Sequence, residues 1–333
     1  MKQNLKMILD FSNRLLIPEN PLPWQKEILD FMEEFESQDE IIVNTSGSTG
    51  KPKPIKLPKS AMIQSAQMTA DFLNLQHGDS ALLCMPIHFI AGKMMLVRAM
   101  EIGLKLYCIQ PTTKIELDAE IDFAALTPMQ AERSLFENNQ TLKINKLILG
   151  GAKVSSVLEK KFKELKIEVY ETYAMTETIT HIGMRKLNEQ NEFHVLDPIK
   201  IRQDERNCLI IKTPYFSEEI ITNDVVELID SERFKVVGRY DNIINSGGLK
   251  INPEHFEELL QPYISKPFIV HYKSDEVLGQ KLVLIIESEK AIDIEFPADL
   301  IPKNQIPKEI IFLKEFPKTE SGKIKRKTID LTD

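Results

Sequence analysis

Cysteine is scarce in this chain. Only Cys84, Cys108 and Cys208 occur among 333 residues. The number is odd and the spacings are wide, so a disulfide framework and a CxxC metal site are both excluded. The six histidines, at positions 77, 88, 181, 194, 255 and 271, include no HxxxH pair. Long apolar runs are missing as well: the longest, 81–87, is strand-sized, far short of a membrane span. Near the N-terminus Asp10, Asn13, Arg14 and Glu19 interrupt every apolar stretch, and no signal-peptide core is present. An excess of basic residues is also lacking. Lys and Arg number 42 against 50 Asp and Glu, a net charge of −8, which argues against a protein that holds nucleic acid by neutralising phosphates. These absences together predict a soluble, cytoplasmic protein of a reducing compartment, with neither nucleic acid nor membrane as partner. Any anionic ligand must be met by local cations or backbone N–H groups.

What the chain contains is an average globular mixture, 42% hydrophobic and 28% charged, at a length that implies more than one domain. After a helical lead in which Trp24, Ile28, Phe31 and Met32 recur at helical spacing, residues 40–171 alternate strand and helix. Strands are expected at 40–43, 80–85, 104–109, 123–126, 146–149 and 167–170. Ser60 is expected to cap one helix, and Pro128 to sit in the first turn of another. Such alternation predicts an α/β domain with a mostly parallel sheet. Between about 180 and 240 short strands with tight connections predict an antiparallel β region. Beyond it, Asn252 as N-cap, Pro253 in the first turn and strands near 268–272 and 282–286 predict a small α+β domain. The expected division is a large domain over 1–240 and a smaller one over 241–333.

The most informative segment is Thr45-Ser46-Gly47-Ser48-Thr49-Gly50-Lys51-Pro52-Lys53, which follows a strand. Glycines let the backbone approach a ligand, successive N–H groups form an anion-binding concavity, and hydroxyls with a lysine complete a phosphate cradle. A Walker loop requires G-x-x-x-x-G-K-[ST] opening a helix. Here Gly47 and Gly50 are too close, and Pro52 and Pro54 forbid an immediate helix. The nucleophile elbow G-x-S-x-G fails because Ser48 directly follows Gly47. Composition alone leaves a flexible polar turn open.

This segment resembles the phosphate loop of the AMP-forming acyl-CoA synthetase superfamily, the adenylate-forming enzymes. Further segments follow in that family's order: Gly150-Gly151-Ala152 is similar to its adenine turn, Tyr173-Ala174-Met175-Thr176-Glu177 to its YGxTE motif, and Thr222-Asn223-Asp224 to its TGD. Gly238-Arg239-Tyr240-Asp241 and Gly247-Gly248 resemble its hinge segment, and Pro317-Lys318-Thr319-Glu320-Ser321-Gly322-Lys323 its C-terminal lysine motif. Ala174 and Asn223 stand where the family carries Gly. Only 44 residues precede the loop, so the resemblance implies a reduced version of the fold.

The resemblance also implies chemistry. A carboxylate is a poor electrophile, and adenylation removes its charge and supplies AMP as leaving group before a thiol attacks. It assigns Lys323, Thr176 and Glu177 to catalysis, Glu177 also to Mg²⁺, and Thr45, Ser46, Gly47, Ser48, Thr49, Gly50, Lys51, Gly151, Ala152, Tyr173, Asp224 and Arg239 to ATP or AMP. Gly247 and Gly248 would line the CoA path, Asp241 would be the hinge, and ATP, Mg²⁺ and CoA would be the cofactor and co-substrates.

The acyl pocket is expected from His88, Phe89, Arg98 and Gly150. Met85-Pro86-Ile87-His88-Phe89-Ile90-Ala91-Gly92 is similar to the family's PLFHIxG stretch, with His and aromatic exchanged in order. A cation such as Arg98 in an otherwise apolar pocket suits an acid with a second carboxylate; a surface Arg is the plainer alternative. Within the superfamily the resemblance is closest to the short 2-succinylbenzoate–CoA ligases of menaquinone biosynthesis, whose substrate is a dicarboxylate. Another aryl- or acyl-CoA ligase, or a stand-alone carrier-loading adenylation enzyme, remains the alternative.

Overall fold

Apolar alternation in the first half of the chain is realised as strands and helices in turn. They are β1 (Lys6–Asp10), α1 (Pro23–Ser37), β2 (Glu40–Asn44), β3 (Pro54–Pro58), α2 (Lys59–Leu73), β4 (Ser80–Leu83), α3 (Ile90–Ile102), β5 (Lys105–Ile109), β6 (Ala119–Leu126), α4 (Pro128–Leu135), β7 (Leu142–Leu149), α5 (Ser156–Phe162), β8 (Glu168–Ala174), β9 (His181–Lys186) and β10 (Phe193–Val195). The second half is β-rich: β11 (Lys200–Gln203), β12 (Cys208–Lys212), β13 (Ile220–Leu228), β14 (Arg233–Arg239), β15 (Ile244–Ser246), β16 (Leu249–Ile251), α6 (Pro253–Leu260), β17 (Phe268–Asp275), β18 (Gly279–Glu287) and β19 (Glu309–Leu313). The structure, a computed structural model, describes residues 6–44, 54–137, 142–294, 296, 301–302, 305–318, 324–329 and 331. Two compact units emerge: Met1–Ile201 with Ile211–Ile220, and Arg202–Ile210 with Ile221–Asp333.

The first unit carries strands in the order β1-β5-β4-β6-β7-β8-β9-β10. The five from β5 to β8 are parallel, and antiparallel strands flank them: β1 on β5, then β9 on β8. A mostly parallel sheet must be buried on both faces. Leu82, Leu126, Leu147 and Leu149 accordingly form one apolar cluster with Ala131 and Leu135 of α4 and Leu158 and Phe162 of α5. The alternate residues Ala81, Leu83, Phe123 and Ile148 are buried as well. Thr127 caps α4 through its hydroxyl, which accepts from the N–H of Gln130, while the Gln130 side chain accepts from the N–H of Thr127.

Two local expectations need correction. The apolar stretch 40–43 does not enter the parallel sheet. It pairs antiparallel with β3, Ile41 opposite Leu57 and Val43 opposite Ile55, in a two-stranded sheet of its own among the described residues. Only its alternate residues are buried, and Ile42 is exposed, so it is a half-covered hairpin strand whose three consecutive apolar residues hide a period of two. Ser60 does not cap α2: the helix starts one residue earlier, after Pro58, with no side-chain cap. The fixed φ of Pro58 sets the entry instead.

In the second unit β13 and β14 form an antiparallel hairpin with a bulge at Val225/Val226. Strands β16-β15-β18-β17 form a separate sheet, to which β19 adds parallel to β18. Asn252 caps α6, its side-chain oxygen accepting from the N–H groups of Glu254 and His255. Phe256 and Leu260 of that helix pack with Val270, Leu284 and Ile286.

The loop from β4 into α3 depends on one close approach. A Cβ on Gly92 would lie 2.4 Å from the carbonyl oxygen of Pro86, a backbone atom that no rotamer change can move. Gly92→Ala gains up to about 1 kcal/mol in helix propensity but overpacks the site at a cost of about 1–3 kcal/mol. The expected net result is a lower urea midpoint at unchanged m-value; a midpoint equal to or above that of the wild type contradicts this packing.

Candidate active site

Parallel register decides what comes together in the first unit. Because β4, β6, β7 and β8 run the same way, the loops leaving their carboxyl ends lie along one edge of the sheet. Those loops carry His88 and Phe89 after β4, Thr127 after β6, Gly150-Gly151-Ala152 after β7, and Thr176 and Glu177 after β8. The chain winds outward from β4 to β5 in one direction and from β6 through β7 to β8 in the other. The reversal between β4 and β6 is a topological switch point, where open α/β sheets bind ligands in the crevice outside the strand ends. His88 is exposed there, its ring centroid 4.2 Å from that of Phe89.

The turn after β7 is held tightly. Gly150 donates its N–H to Leu126, and a Cβ on Gly150 would meet the Thr172 hydroxyl at 2.9 Å. Gly151 has a φ of +83°. Two residues beyond Ala152, the N–H of Val154 donates to Glu171 at 2.8 Å. Glu171 is buried and its other oxygen accepts from Arg185, 2.7 Å away, which also reaches Glu159 at 3.1 Å. This carboxylate–guanidinium network anchors the turn to β8 and β9. Tyr173 is buried with its ring edge-on to Phe193. Thr176 is buried, whereas Glu177 is exposed and its carboxylate meets no hydrogen-bond or ion-pair partner among the described residues. No group of three metal-ligating side chains occurs among the described residues. A lone free carboxylate fits a Mg²⁺ ion that takes most of its ligands from phosphate oxygens and water.

Arg98 is the most unusual group in the unit. It lies on α3, is 2% exposed, and is the bulkiest of the fully buried side chains. One of its terminal nitrogens donates to the Thr180 hydroxyl at 3.3 Å. Its Nε–H is buried without a partner, and no carboxylate pairs with it among the described residues. Burial alone drives its pKa down from 12.5 to about 10, which leaves the guanidinium charged at neutral pH. His181 lies beyond Thr180 and is 3% exposed. Its ring nitrogens face the hydroxyls of Thr69, at 3.0 Å, and Thr180, at 3.2 Å. Burial, and then the charge of Arg98, hold His181 well below the ordinary imidazole range, so the ring is neutral.

The remaining assigned residues lie in the second unit. Asp224 on β13 and Arg239 on β14 are directly opposite in register and form an ion pair at 3.2 Å. Arg239 also donates to Asp241 at 3.0 Å, and the second oxygen of Asp241 accepts from Lys327 at 3.2 Å. Burial works against the Asp241 carboxylate, but these two cations outweigh it and hold the group below its usual range. Gly247 and Gly248, with φ of +56° and +83°, make the two-residue turn between β15 and β16 that a type I′ hairpin requires. Lys318 and Ile324 form an isolated antiparallel bridge, and Arg326 forks onto Glu257. Thr45, Ser46, Gly47, Ser48, Thr49, Gly50, Lys51 and Lys323 lie outside the described residues.

Sequence reasoning singled out Arg98 but missed Thr69, Thr180 and His181, and it missed Glu171 and Arg185 entirely. Thr180 and Thr69 are separated from their partners by 82 and 112 positions, and no local pattern signals a contact of that range.

Comparison with known proteins gives consistent matches. The model of the AMP-binding enzyme family matches residues 13–200, more than half of the chain. A 2-succinylbenzoate–CoA ligase of Bacillus cereus is 24% identical over 91% of this chain and 72% of its own length, and that of Listeria monocytogenes is 25% identical over 86% and 68%. Among solved structures, an acyl-CoA synthetase (AMP-forming)/AMP-acid ligase II-like protein from Dyadobacter fermentans is 34% identical. It covers 97% of this chain and 98% of its own, with a TM-score of 0.67. An o-succinylbenzoate CoA synthetase from Bacillus subtilis, solved with its acyl-adenylate intermediate, is 21% identical over 89% and 70%, with a TM-score of 0.75. The fold is therefore a reduced adenylate-forming one. No helix among the described residues is long and apolar enough to cross a membrane.

A neutral buried histidine links stability to pH. Its folded pKa lies below the unfolded value of 6.5, so the unfolded chain takes up a proton that the folded chain refuses. Stability is full above pH 6.5 and falls as pH drops below it, by up to about 1.4 kcal/mol per pH unit for this one group. Urea denaturation from pH 7 to 5 should show this slope in the wild type and a shallower one in His181→Gln, which cannot titrate there. Equal slopes contradict the buried neutral state.

Proposed function

The chain belongs to the AMP-binding enzyme family and is an AMP-forming acid–CoA ligase that uses ATP, Mg²⁺ and CoA; we propose that its acid is 2-succinylbenzoate and that it serves menaquinone biosynthesis in the cytoplasm. The reaction has two halves. A carboxylate oxygen of the acid attacks the α-phosphorus of ATP and pyrophosphate leaves; the CoA sulfur then attacks the acyl carbon and AMP leaves. The first half brings an anion onto a polyanion, so the protein contributes mainly positioning and charge stabilisation.

The observation that carries the choice of acid is the buried guanidinium of Arg98 with an unpaired Nε–H and no carboxylate partner among the described residues. Taking such a charge out of water is costly unless a counter-ion arrives. An acid with a second carboxylate supplies that counter-ion, and 2-succinylbenzoate, the substrate in the name of the Bacillus and Listeria relatives, has one. In this reading Thr45–Lys51 cradle the phosphates, with Thr176 and the carboxylate of Glu177 beside them. Mg²⁺, held by Glu177, would neutralise triphosphate charge when bound. Gly151, Ala152 and Tyr173 take the adenine, and Asp224 and Arg239 the ribose hydroxyls. His88, Phe89 and Gly150 line the acid. Lys323 bridges the reacting carboxylate and phosphate in the first half-reaction. Residues 241–333 then swing about Asp241, withdrawing Lys323 and bringing the Gly247-Gly248 turn to the pantetheine arm.

Arg98→Ala should raise the KM for 2-succinylbenzoate about ten- to hundredfold, the loss of a charge-assisted contact of ~1.5–3 kcal/mol, and leave the KM for benzoate nearly unchanged. Steady-state thioester formation with both acids measures this. An unchanged KM, or an equal rise with benzoate, removes the dicarboxylate assignment.

A further inference from the structure

The polar groups beside Arg98 form a chain of contacts, Arg98–Thr180–His181–Thr69, to which one run of proton positions can be assigned. The Thr69 hydroxyl donates its single proton to the carbonyl of Ser65 at 3.0 Å. With that proton so placed, none is left for His181, 3.0 Å away, and we assign the ring hydrogen to Nε2, donating to Thr69. In a neutral ring Nδ1 is then an acceptor. In this assignment the Thr180 hydroxyl, 3.2 Å from Nδ1, donates to it. That leaves only lone pairs on Thr180 for Arg98, whose terminal nitrogen donates to it at 3.3 Å. Every link agrees with the next: Arg98 to Thr180, Thr180 to His181, His181 to Thr69, Thr69 to the helix backbone. Thr69 is fully buried and His181 is 3% exposed, so no bulk water competes for these bonds.

Two consequences bear on the acid. A fixed acceptor on Thr180 engages one terminal nitrogen of Arg98 and leaves Nε–H free, so the guanidinium has one defined face for an incoming carboxylate. Because His181 stays neutral, Arg98 is the single cation of this cluster, which matches one carboxylate charge. We propose that Thr69 and His181 are positioning residues that set the acid specificity of the site by fixing, through Thr180, the orientation of Arg98. This rests on the reading that Arg98 receives the second carboxylate of the acid.

The test has an arm that needs no substrate. Long-range ¹H–¹⁵N spectra of the full chain labelled in histidine should show His181 as the neutral Nε2–H tautomer; the Nδ1–H tautomer or an imidazolium at pH 7 overturns the proposal. In kinetics, Thr69→Val removes the acceptor of the Nε2 hydrogen at nearly constant shape. It should raise the KM for 2-succinylbenzoate about five- to twentyfold with the KM for ATP unchanged, and Thr69→Ser should restore the wild-type value. His181→Gln should give the same selective rise. A uniform loss with 2-succinylbenzoate and benzoate alike, no selective change, or no rescue by Ser shows that the chain is only structural and overturns the proposal. Failure of the underlying reading looks different: Arg98→Ala itself would then fail to discriminate the two acids, whatever Thr69→Val does.

Discussion

The parallel register of β4, β6, β7 and β8 is the constraint on which the rest of the first unit depends. It sends loops from four distant stretches of sequence to one edge of one sheet, and the reversal of winding between β4 and β6 opens a crevice there. Both faces of the sheet are buried, one of them beneath α4 and α5, and that burial is what lets a loop hold its geometry. The turn at Gly150 is fastened to Leu126 and, through Val154, to Glu171 and Arg185. Precision at the edge is thus supplied from beneath it, by strands and a buried ion network rather than by the loops themselves.

Charge placement follows the same economy. The chain is acidic overall, and its described surface pairs many of its cations with carboxylates, as Arg239 with Asp224 and Asp241, and Arg326 with Glu257. Arg98 is buried in the core, and among the described residues its side chain donates to the Thr180 hydroxyl and meets no carboxylate. A buried charge without a counter-charge is a stability cost, and such costs concentrate where a ligand relieves them.

Much of this was legible in the sequence. Strand–helix alternation identified the α/β character because apolar periodicity survives in local windows, and Pro128 in a first helical turn and Asn252-Pro253 at a helix start are signals confined to a few residues. The ordered motifs from Thr45 to Lys323 pointed to the family because each carries its glycines, hydroxyls and charges at fixed spacing. What could not be read is what depends on tertiary pairing. Residues 40–43 look like a sheet-core strand until β3 claims them for a hairpin, and Ser60 looks like a cap until Pro58 starts the helix before it. Thr69 and His181 meet across 112 positions, and neither residue type in isolation distinguishes a positioning role from a satisfied core polar group.

Oxygen transfer from acid to nucleotide tests most directly that this protein activates a carboxylate by joining it to AMP. With the acid labelled with ¹⁸O at both carboxylate oxygens, attack on the α-phosphorus leaves one labelled oxygen bridging carbon and phosphorus, and attack of CoA on carbon releases it with AMP. One ¹⁸O per AMP formed, read by mass spectrometry in step with thioester, is the expected result. Unlabelled AMP, or label appearing in ADP or inorganic phosphate, contradicts an acyl-adenylate at this site.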